Sequence, residues 1–104
     1  MSALVQNKEE IFQRMTANRV ALGNLGVHRY ALFGSFVTGD QNSGSDVDLL
    51  VEFKPGRKSF DNFLNLSFLL EEIFGRKVDM VTPESLSPYI GPKILAEVEY
   101  GLID

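Results

Sequence analysis

The stretch Ser45-Asp46-Val47-Asp48-Leu49-Leu50-Val51 decides the fold of this chain. Its aspartates alternate with apolar residues, which is the pattern of a half-buried β-strand. Successive side chains of a strand point to opposite faces, so both carboxylates project from the same face, roughly 6.5 Å apart along the backbone. That spacing brings Asp46 and Asp48 close enough to bind one cation. The alternative is that they are solvated residues on the outer face of an edge strand. Aspartate is depleted from strands, however, and adjacent like charges are costly without a cation.

A Gly-Ser pair upstream of this strand suits a phosphate group. Gly34 and Ser35 follow the strand-like run Tyr30-Ala31-Leu32-Phe33. Glycine allows a positive φ and a close approach of the backbone to a phosphate, and Ser35 would donate its N–H and its hydroxyl at the start of a short helix. The alternative is an ordinary strand-to-helix turn with Ser35 as the N-cap. The Gly-Ser pair and the two aspartates together indicate Mg²⁺-dependent phosphoryl or nucleotidyl transfer.

Asp79 is the candidate third carboxylate. It lies in the apolar run Val78-Asp79-Met80-Val81, where an unpaired charge would be costly. A third carboxylate can hold a catalytic metal and accept a proton from an attacking hydroxyl. The alternative is an ion pair of Asp79 with Arg76, Lys77 or Arg57.

The composition predicts one soluble domain spanning residues 1–104. Cysteine is absent, which excludes disulfides and thiolate metal sites. The net charge of −4 argues against direct binding of nucleic acid, although a metal can bridge acidic side chains to a nucleotide. We find no signal peptide and no apolar run long enough to span a membrane, so we expect a cytoplasmic protein without a membrane partner.

The order of predicted elements is that of an α/β (α+β) domain with a small mixed sheet and helices packed on it. One helix begins at Asn7 and ends at Gly23 or Gly26, and a second begins at the cap Ser59 and ends at Gly75. We expect the phenylalanines of that second helix in the core. The predicted strands are His28–Phe33, Asp46–Phe53 (with Val47, Leu49, Val51 and Phe53 facing the core) and Val78–Val81. A final helix is predicted to bury Ile90, Ile94, Leu95 and Val98.

The motifs closely resemble those of the minimal nucleotidyltransferases of the polymerase-beta-like superfamily. The resemblance rests on Phe33-Gly34-Ser35-Phe36-Val37-Thr38-Gly39, on the Asp46–Asp48 strand and on Gly75-Arg76-Lys77-Val78-Asp79-Met80-Val81-Thr82. It implies the polymerase-beta-like nucleotidyltransferase fold, with Gly34 and Ser35 at the triphosphate of ATP. It also implies Asp46, Asp48 and Asp79 as catalytic carboxylates and Mg²⁺ ligands.

The same resemblance implies an acceptor. Many such proteins are antitoxins encoded beside a HEPN-type toxin, a helical ribonuclease, and the best-understood ones transfer AMP from ATP to a tyrosine of that toxin. The chain departs from the family at Thr38, where arginine is common, and this affects the expected rate or the choice of donor. Two other functions remain open, which are neutralisation of a toxin by binding alone and transfer to a small molecule. Leu102 and Ile103 either mark an interface, in a homo- or hetero-oligomer, or belong to a frayed or docked terminus.

Overall fold

A four-stranded mixed sheet forms the centre of the fold, with the strand order β3-β2-β1-β4. The computed structural model describes residues 3–89 and 91–103. Strand β1 runs antiparallel to both β2 and β4, whereas β2 and β3 are parallel. The strands are β1 (Val27–Phe33), β2 (Val47–Phe53), β3 (Val78–Val81) and β4 (Glu99–Leu102). The predicted class, a small mixed sheet with helices, is confirmed.

The described part of the chain also has five helices and a short 3₁₀ turn, Pro83–Ser85, of which the first two helices precede β1 and the others connect the strands. The helices are α1 (Lys8–Ala17), α2 (Arg19–Asn24), α3 (Ser35–Thr38), α4 (Phe60–Phe74) and α5 (Gly91–Glu97). The long helix α4 has the predicted ends. The Ser59 side chain accepts a hydrogen bond from the N–H of Asn62 at 3.1 Å, and Gly75 ends the helix with a φ of 66°. None of the described helices has the length and apolar character needed to cross a membrane.

The first helical segment differs from the prediction of one helix. Asn7 caps it as expected, since its side chain accepts from the N–H of Glu10 at 2.9 Å. The helix then breaks at Asn18, whose backbone leaves the helical region (φ −108°, ψ 15°). The Asn18 side chain donates to the carbonyl of Arg14 at 2.8 Å, so an asparagine amide competes with the backbone for helical carbonyls. Gly23 consequently lies inside α2 and does not end a helix.

The core lies between one face of the sheet and the helices α1 and α4. Alternate residues of β2 (Val47, Leu49 and Val51) are fully buried there, and Phe53 packs against them partly buried. Helix α4 contributes buried residues at helical spacing, namely Leu66, Leu70, Ile73 and Phe74. The predicted core face of β2 is therefore confirmed.

The expectation that all phenylalanines of α4 are buried is wrong. Phe60 and Phe68 are 76% and 61% exposed, whereas Phe63 is half-buried and Phe74 is buried. Phe60, Leu64 and Phe68 follow one another at intervals of four residues, and 3.6 residues per turn place that row away from the buried row of Leu66 and Leu70. Residue type alone does not reveal which row faces the sheet.

The C-terminal segment forms a strand that the sequence did not predict. Strand β4 pairs with β1, and the N–H of Ile103 donates to the carbonyl of His28 at 3.0 Å. Ile103 is buried and Leu102 is exposed, so the terminus is docked on the sheet. The run Glu99–Leu102 is only four residues long, and its apolar residues Tyr100 and Leu102 are the exposed ones, so its pattern does not indicate a strand with a buried face.

The last helix is shorter and more exposed than predicted. Within α5, Ile94 is half-buried but Leu95 is 48% exposed, so the burial predicted for Leu95 is wrong. Val98 lies just beyond the helix and is half-buried. Ile90 lies outside the described residues.

The two faces of α4 should differ in their response to truncation. Leu70→Ala should lower the free energy of unfolding by about 2–5 kcal/mol, because it leaves a cavity in the core. Phe68→Ala should change it by about 0.5 kcal/mol or less, since that ring is exposed. Urea denaturation of both variants measures the difference, and equal losses would contradict this assignment of the faces.

Candidate active site

Strands β2 and β3 bring two of the predicted carboxylates together. The parallel register places Asp48 opposite Asp79, and the N–H of Val47 donates to the carbonyl of Lys77 at 3.0 Å at the start of this pairing. The side chains of Asp48 and Asp79 lie within hydrogen-bonding reach of each other. The sequence predicts Asp46 as the first residue of this strand, but the strand begins at Val47, so Asp46 immediately precedes β2 and is half-buried. The two residues from separate predicted strands thus belong to one cluster.

The electrostatics of Asp48 reflect this clustering. Burial raises the pKa of Asp48 from 3.8 to about 6, and the carboxylates of Asp79 and Asp46 add to the shift. Because the pKa is higher in the folded state, the contribution of this group to stability is fully present below pH 3.8 and is lost as the pH rises through about 6. At neutral pH the cluster is therefore a site of unrelieved negative charge.

The carboxylates do not form a complete metal cage. In residues 3–89 and 91–103, no three acidic or histidine side chains converge as a metal-binding group. Asp79 is exposed at the sheet edge, whereas Asp48 is half-buried. Mg²⁺ is commonly bound by one or two carboxylates together with substrate phosphates, so a close carboxylate pair fits that ion better than it fits Ca²⁺.

Gly34 passes directly beside the Asp48 carboxylate. Its φ is 77°, and a Cβ at this position would lie 2.2 Å from Oδ2 of Asp48. The predicted requirement for positive φ is confirmed, but the group that occupies the space of a side chain is the neighbouring carboxylate. This close approach, which single-sequence reasoning missed, fixes the distance between the Gly-Ser turn and the aspartates.

Ser35 begins the four-residue helix α3, and Gly34 is its N-cap. The alternative reading of Ser35 as an N-cap is therefore wrong. The Ser35 hydroxyl makes no hydrogen bond with any part of the chain that the structure describes. Thr38, at the position where arginine was expected, is exposed and donates to Asp40 at 3.0 Å. The hydroxyl of Ser35 thus remains available to a ligand.

The alternative role of Asp79 as an ion-pair partner is not supported. Arg76 is buried and donates to backbone carbonyls, and Arg57 donates to the carbonyl of Asn24 at 2.6 Å. Neither these arginines nor Lys77 pairs with Asp79 among the described residues. The premise that Asp79 carries a buried charge is also wrong, because β3 is an edge strand and leaves its side chain exposed.

A groove of about 430 Å³ lies on the same sheet face as Asp48. Its floor includes Leu50, which follows Asp48 by two residues and so points to the same face. Leu95 and Tyr100 contribute apolar walls, and the ion pair between Arg29 and Glu52 (2.6 Å) lies at its edge. The groove offers an apolar surface beside the carboxylates.

Comparisons with known proteins place the chain in a family. Residues 16–100 match the family of nucleotidyltransferase domains, and the chain belongs to that family and is a nucleotidyltransferase. The protein adenylyltransferase MntA of Thermococcus cleftensis is 39% identical over 93 residues, which cover 88% of this chain and 93% of that protein. A relative from Methanocaldococcus jannaschii, provisionally named a protein adenylyltransferase, is 40% identical over 72 residues, which cover 69% of this chain and 76% of that protein.

Solved structures share the fold. One described as a minimal nucleotidyltransferase is 32% identical, with a TM-score of 0.68, and the match covers 85% of this chain and 93% of that one. A toxin–antitoxin structure with AMP-PNP has a TM-score of 0.65 at 21% identity, over 91% of this chain and 72% of that one. The expected polymerase-beta-like fold is confirmed.

Gly34→Ala should inactivate the enzyme. Both Gly34→Ala and the control Gly56→Ala place alanine at a positive φ, and the backbone cost is larger at Gly34, because its ψ of −152° lies in a region that is essentially restricted to glycine. Only Gly34→Ala forces the Asp48 side chain to move, because nothing lies within 4 Å of a Cβ at Gly56. We expect a loss of about 100-fold in nucleotidyl-transfer rate for Gly34→Ala alone. Equal rates in the two variants, compared at equal folded fraction, would contradict the proposed contact.

Asp79→Asn should lower the pKa of Asp48 in the metal-free protein. The substitution removes a neighbouring negative charge, but burial, the largest cause, remains, so the pKa should stay above 3.8. Carbon-13 NMR titration of the carboxyl groups in EDTA measures it. Glu52→Gln is the control, since Glu52 lies further along β2 and pairs with Arg29. An Asp48 pKa that is unchanged by Asp79→Asn would contradict the clustering.

Proposed function

We propose that this chain is a Mg²⁺-dependent protein adenylyltransferase that transfers AMP from ATP to a tyrosine of a HEPN-type toxin, and that it acts as an antitoxin. The observation that carries the proposal is the close approach of Asp48, Asp79 and Gly34 at one end of the sheet. It is supported by a 39% identical relative named as a protein adenylyltransferase. The fold shared with a toxin–antitoxin structure is compatible with it.

The negative cluster supplies the reason for a metal. Asp46 and Asp48, with Asp79 beside them, would hold Mg²⁺, which neutralises charge on the phosphates when it is bound. Gly34 and Ser35 would orient the triphosphate through backbone N–H groups and the free Ser35 hydroxyl. Because the chain presents no complete cage of three ligands in its described residues, ATP oxygens would complete the coordination.

The proposed reaction is a single displacement at phosphorus. The tyrosine hydroxyl oxygen forms a bond with the α-phosphorus of ATP while the bond to the bridging oxygen breaks, and pyrophosphate leaves. The phenolic proton passes to the carboxylate of Asp79, which is exposed at the sheet edge and reachable by an acceptor. Positioning and charge neutralisation supply most of the catalysis, as in other phosphoryl transfers.

The groove beside Asp48 would receive the acceptor segment. Leu95 and Tyr100, each 48% exposed, offer apolar contact to a tyrosine ring, and the groove begins at Leu50, one strand repeat from Asp48. An acceptor held there would present its hydroxyl towards the carboxylates. The proposed site would then include both the charged and the apolar part of this sheet face.

A second function, neutralisation by binding alone, is favoured by two observations. Thr38 stands where the family commonly has arginine, so a charged contact to the nucleotide or target is lost at that position. The net charge of −4 suits a basic ribonuclease partner. In this case the aspartates would be dispensable for neutralisation.

The two functions can be separated with the products of the genes that flank the gene for this chain, among which the proposal predicts a HEPN-type protein. Incubation of the wild type with that protein and Mg-ATP should give AMP-sized mass increments on the acceptor, mapped to tyrosine by mass spectrometry. Asp46→Asn and Asp48→Asn should each reduce the rate by at least about 100-fold. The wild type should lose activity in EDTA and regain it with Mg²⁺.

Asp61→Asn is the matched control, because Asp61 is an exposed aspartate in the first turn of α4 and outside the site. It should retain the wild-type rate. Absence of increments with the wild type, or full ribonuclease neutralisation by the Asp48→Asn variant at equal stoichiometry, would favour the binding function.

A further inference from the structure

Arg76 is a buried arginine in the short connection between α4 and β3, and it has no assigned role in the chemistry described above. Its side chain is 6% exposed, although its neighbour Lys77 is exposed. Burial of a charged group is costly unless hydrogen bonds compensate for the lost hydration. The contacts of the Arg76 guanidinium therefore have to explain why a charged side chain is buried at this position.

The guanidinium is surrounded by backbone carbonyls. Its Nε donates to Val5 at 2.8 Å, and its Nη1 donates to Asn42 at 3.0 Å, to Ser43 at 3.3 Å and to Ser45 at 2.7 Å. No carboxylate pairs with it among residues 3–89 and 91–103. Its charge is thus met by carbonyl dipoles.

The other contact of the guanidinium is aromatic. Its central carbon lies 5.1 Å from the ring centroid of Phe36, which is a favourable cation–π distance. Phe36 follows Ser35 in α3 and is buried. Arg76 therefore contacts the helix that begins with the candidate phosphate-binding serine.

These contacts join both halves of the candidate site. The connection from α3 to β2 is irregular, and its residues Asn42 and Ser43 are exposed. This connection has internal hydrogen bonds, such as the one from the N–H of Asn42 to Oγ of Ser45 at 2.9 Å. Among the described residues, Arg76 is the only one whose side chain donates hydrogen bonds from a neighbouring segment to the carbonyls of this connection. Ser45 directly precedes Asp46. The β1–β2 pairing holds Gly34 beside Asp48, and the N–H of Val47 binds the carbonyl of Lys77. The guanidinium adds to these contacts by holding the loop that leads directly into Asp46.

We propose that Arg76 is a positioning residue for nucleotidyl transfer. It clamps the 42–45 loop between Val5 and Phe36, and thereby holds Asp46 in place beside Asp48, whose own position next to the Gly34–Ser35 turn is fixed by the Gly34 contact. This inference rests on the proposed function for its catalytic consequence, but the clamp itself is a property of the unliganded fold. Arginine is required because its donors diverge in a rigid plane, whereas a lysine ammonium on a flexible stem cannot reproduce that planar arrangement or stack on Phe36.

Arg76→Lys tests the clamp, because it retains the charge and removes the divergent donors. The Mg²⁺ concentration for half-maximal AMP transfer should rise about tenfold, as for other residues that orient metal ligands. Amide hydrogen exchange should become faster at residues 42–46 while exchange in the β1–β2 pairing remains slow. The exchange measurement needs neither metal nor ATP.

Ile73→Val is the control, since it removes one methyl group from the core and should cost about 0.5–1.5 kcal/mol without touching the loop. It should keep the wild-type Mg²⁺ dependence and loop exchange. If Arg76→Lys does not fold, Phe36→Leu removes the stacked ring and should give the same changes to a smaller extent.

The outcomes distinguish this inference from the proposed function. Wild-type loop exchange and wild-type Mg²⁺ dependence in Arg76→Lys would overturn the positioning role. Equal changes in Ile73→Val would overturn it as well, because they would reflect general destabilisation. Faster loop exchange in Arg76→Lys, together with a wild type that transfers no AMP, would retain the clamp and refute the proposed function.

Discussion

The repulsion between Asp48 and Asp79 across the parallel β2–β3 pairing is the constraint on which the rest of this site depends. The backbone register places the two residues opposite each other, and the Asp48 carboxylate lies in the space that a side chain at Gly34 would fill. Burial and the neighbouring charges raise the pKa of Asp48 to about 6, so the pair is strained at neutral pH unless a cation is present. Such a cluster lowers the stability of the fold, and it is maintained because it supplies a binding function.

The two faces of the sheet have different roles. One face of β2 packs Val47, Leu49 and Val51 against α1 and α4, which makes the register costly to shift because a slip by one residue would bury the aspartates. The other face carries Asp48 and then Leu50, so the charged cluster continues into the apolar groove. The core therefore stabilises the geometry that the open face uses.

Much of this could be predicted from the sequence, because the period-2 pattern around Asp46 and Asp48 and the caps Ser59 and Gly75 are local signals. Strand β4 could not, since its pairing with β1 joins segments distant in sequence. The exposure of Phe68 depends on which row of α4 meets the sheet, and that is a tertiary choice. The contacts of Gly34 with Asp48 and of Arg76 with the 42–45 loop are likewise set only once the strands have assembled.

The most direct test of the central claim is the free energy of unfolding of the wild type and of Asp48→Asn at pH 7.5, each measured in EDTA and with Mg²⁺ and AMP-PNP. In EDTA the asparagine variant should be the more stable protein, because one negative charge of the cluster is gone. With Mg²⁺ and AMP-PNP the order should reverse, since only the wild type gains stability from binding both. A wild type that is at least as stable as the variant in EDTA, or that gains nothing from Mg²⁺ and nucleotide, would contradict the account.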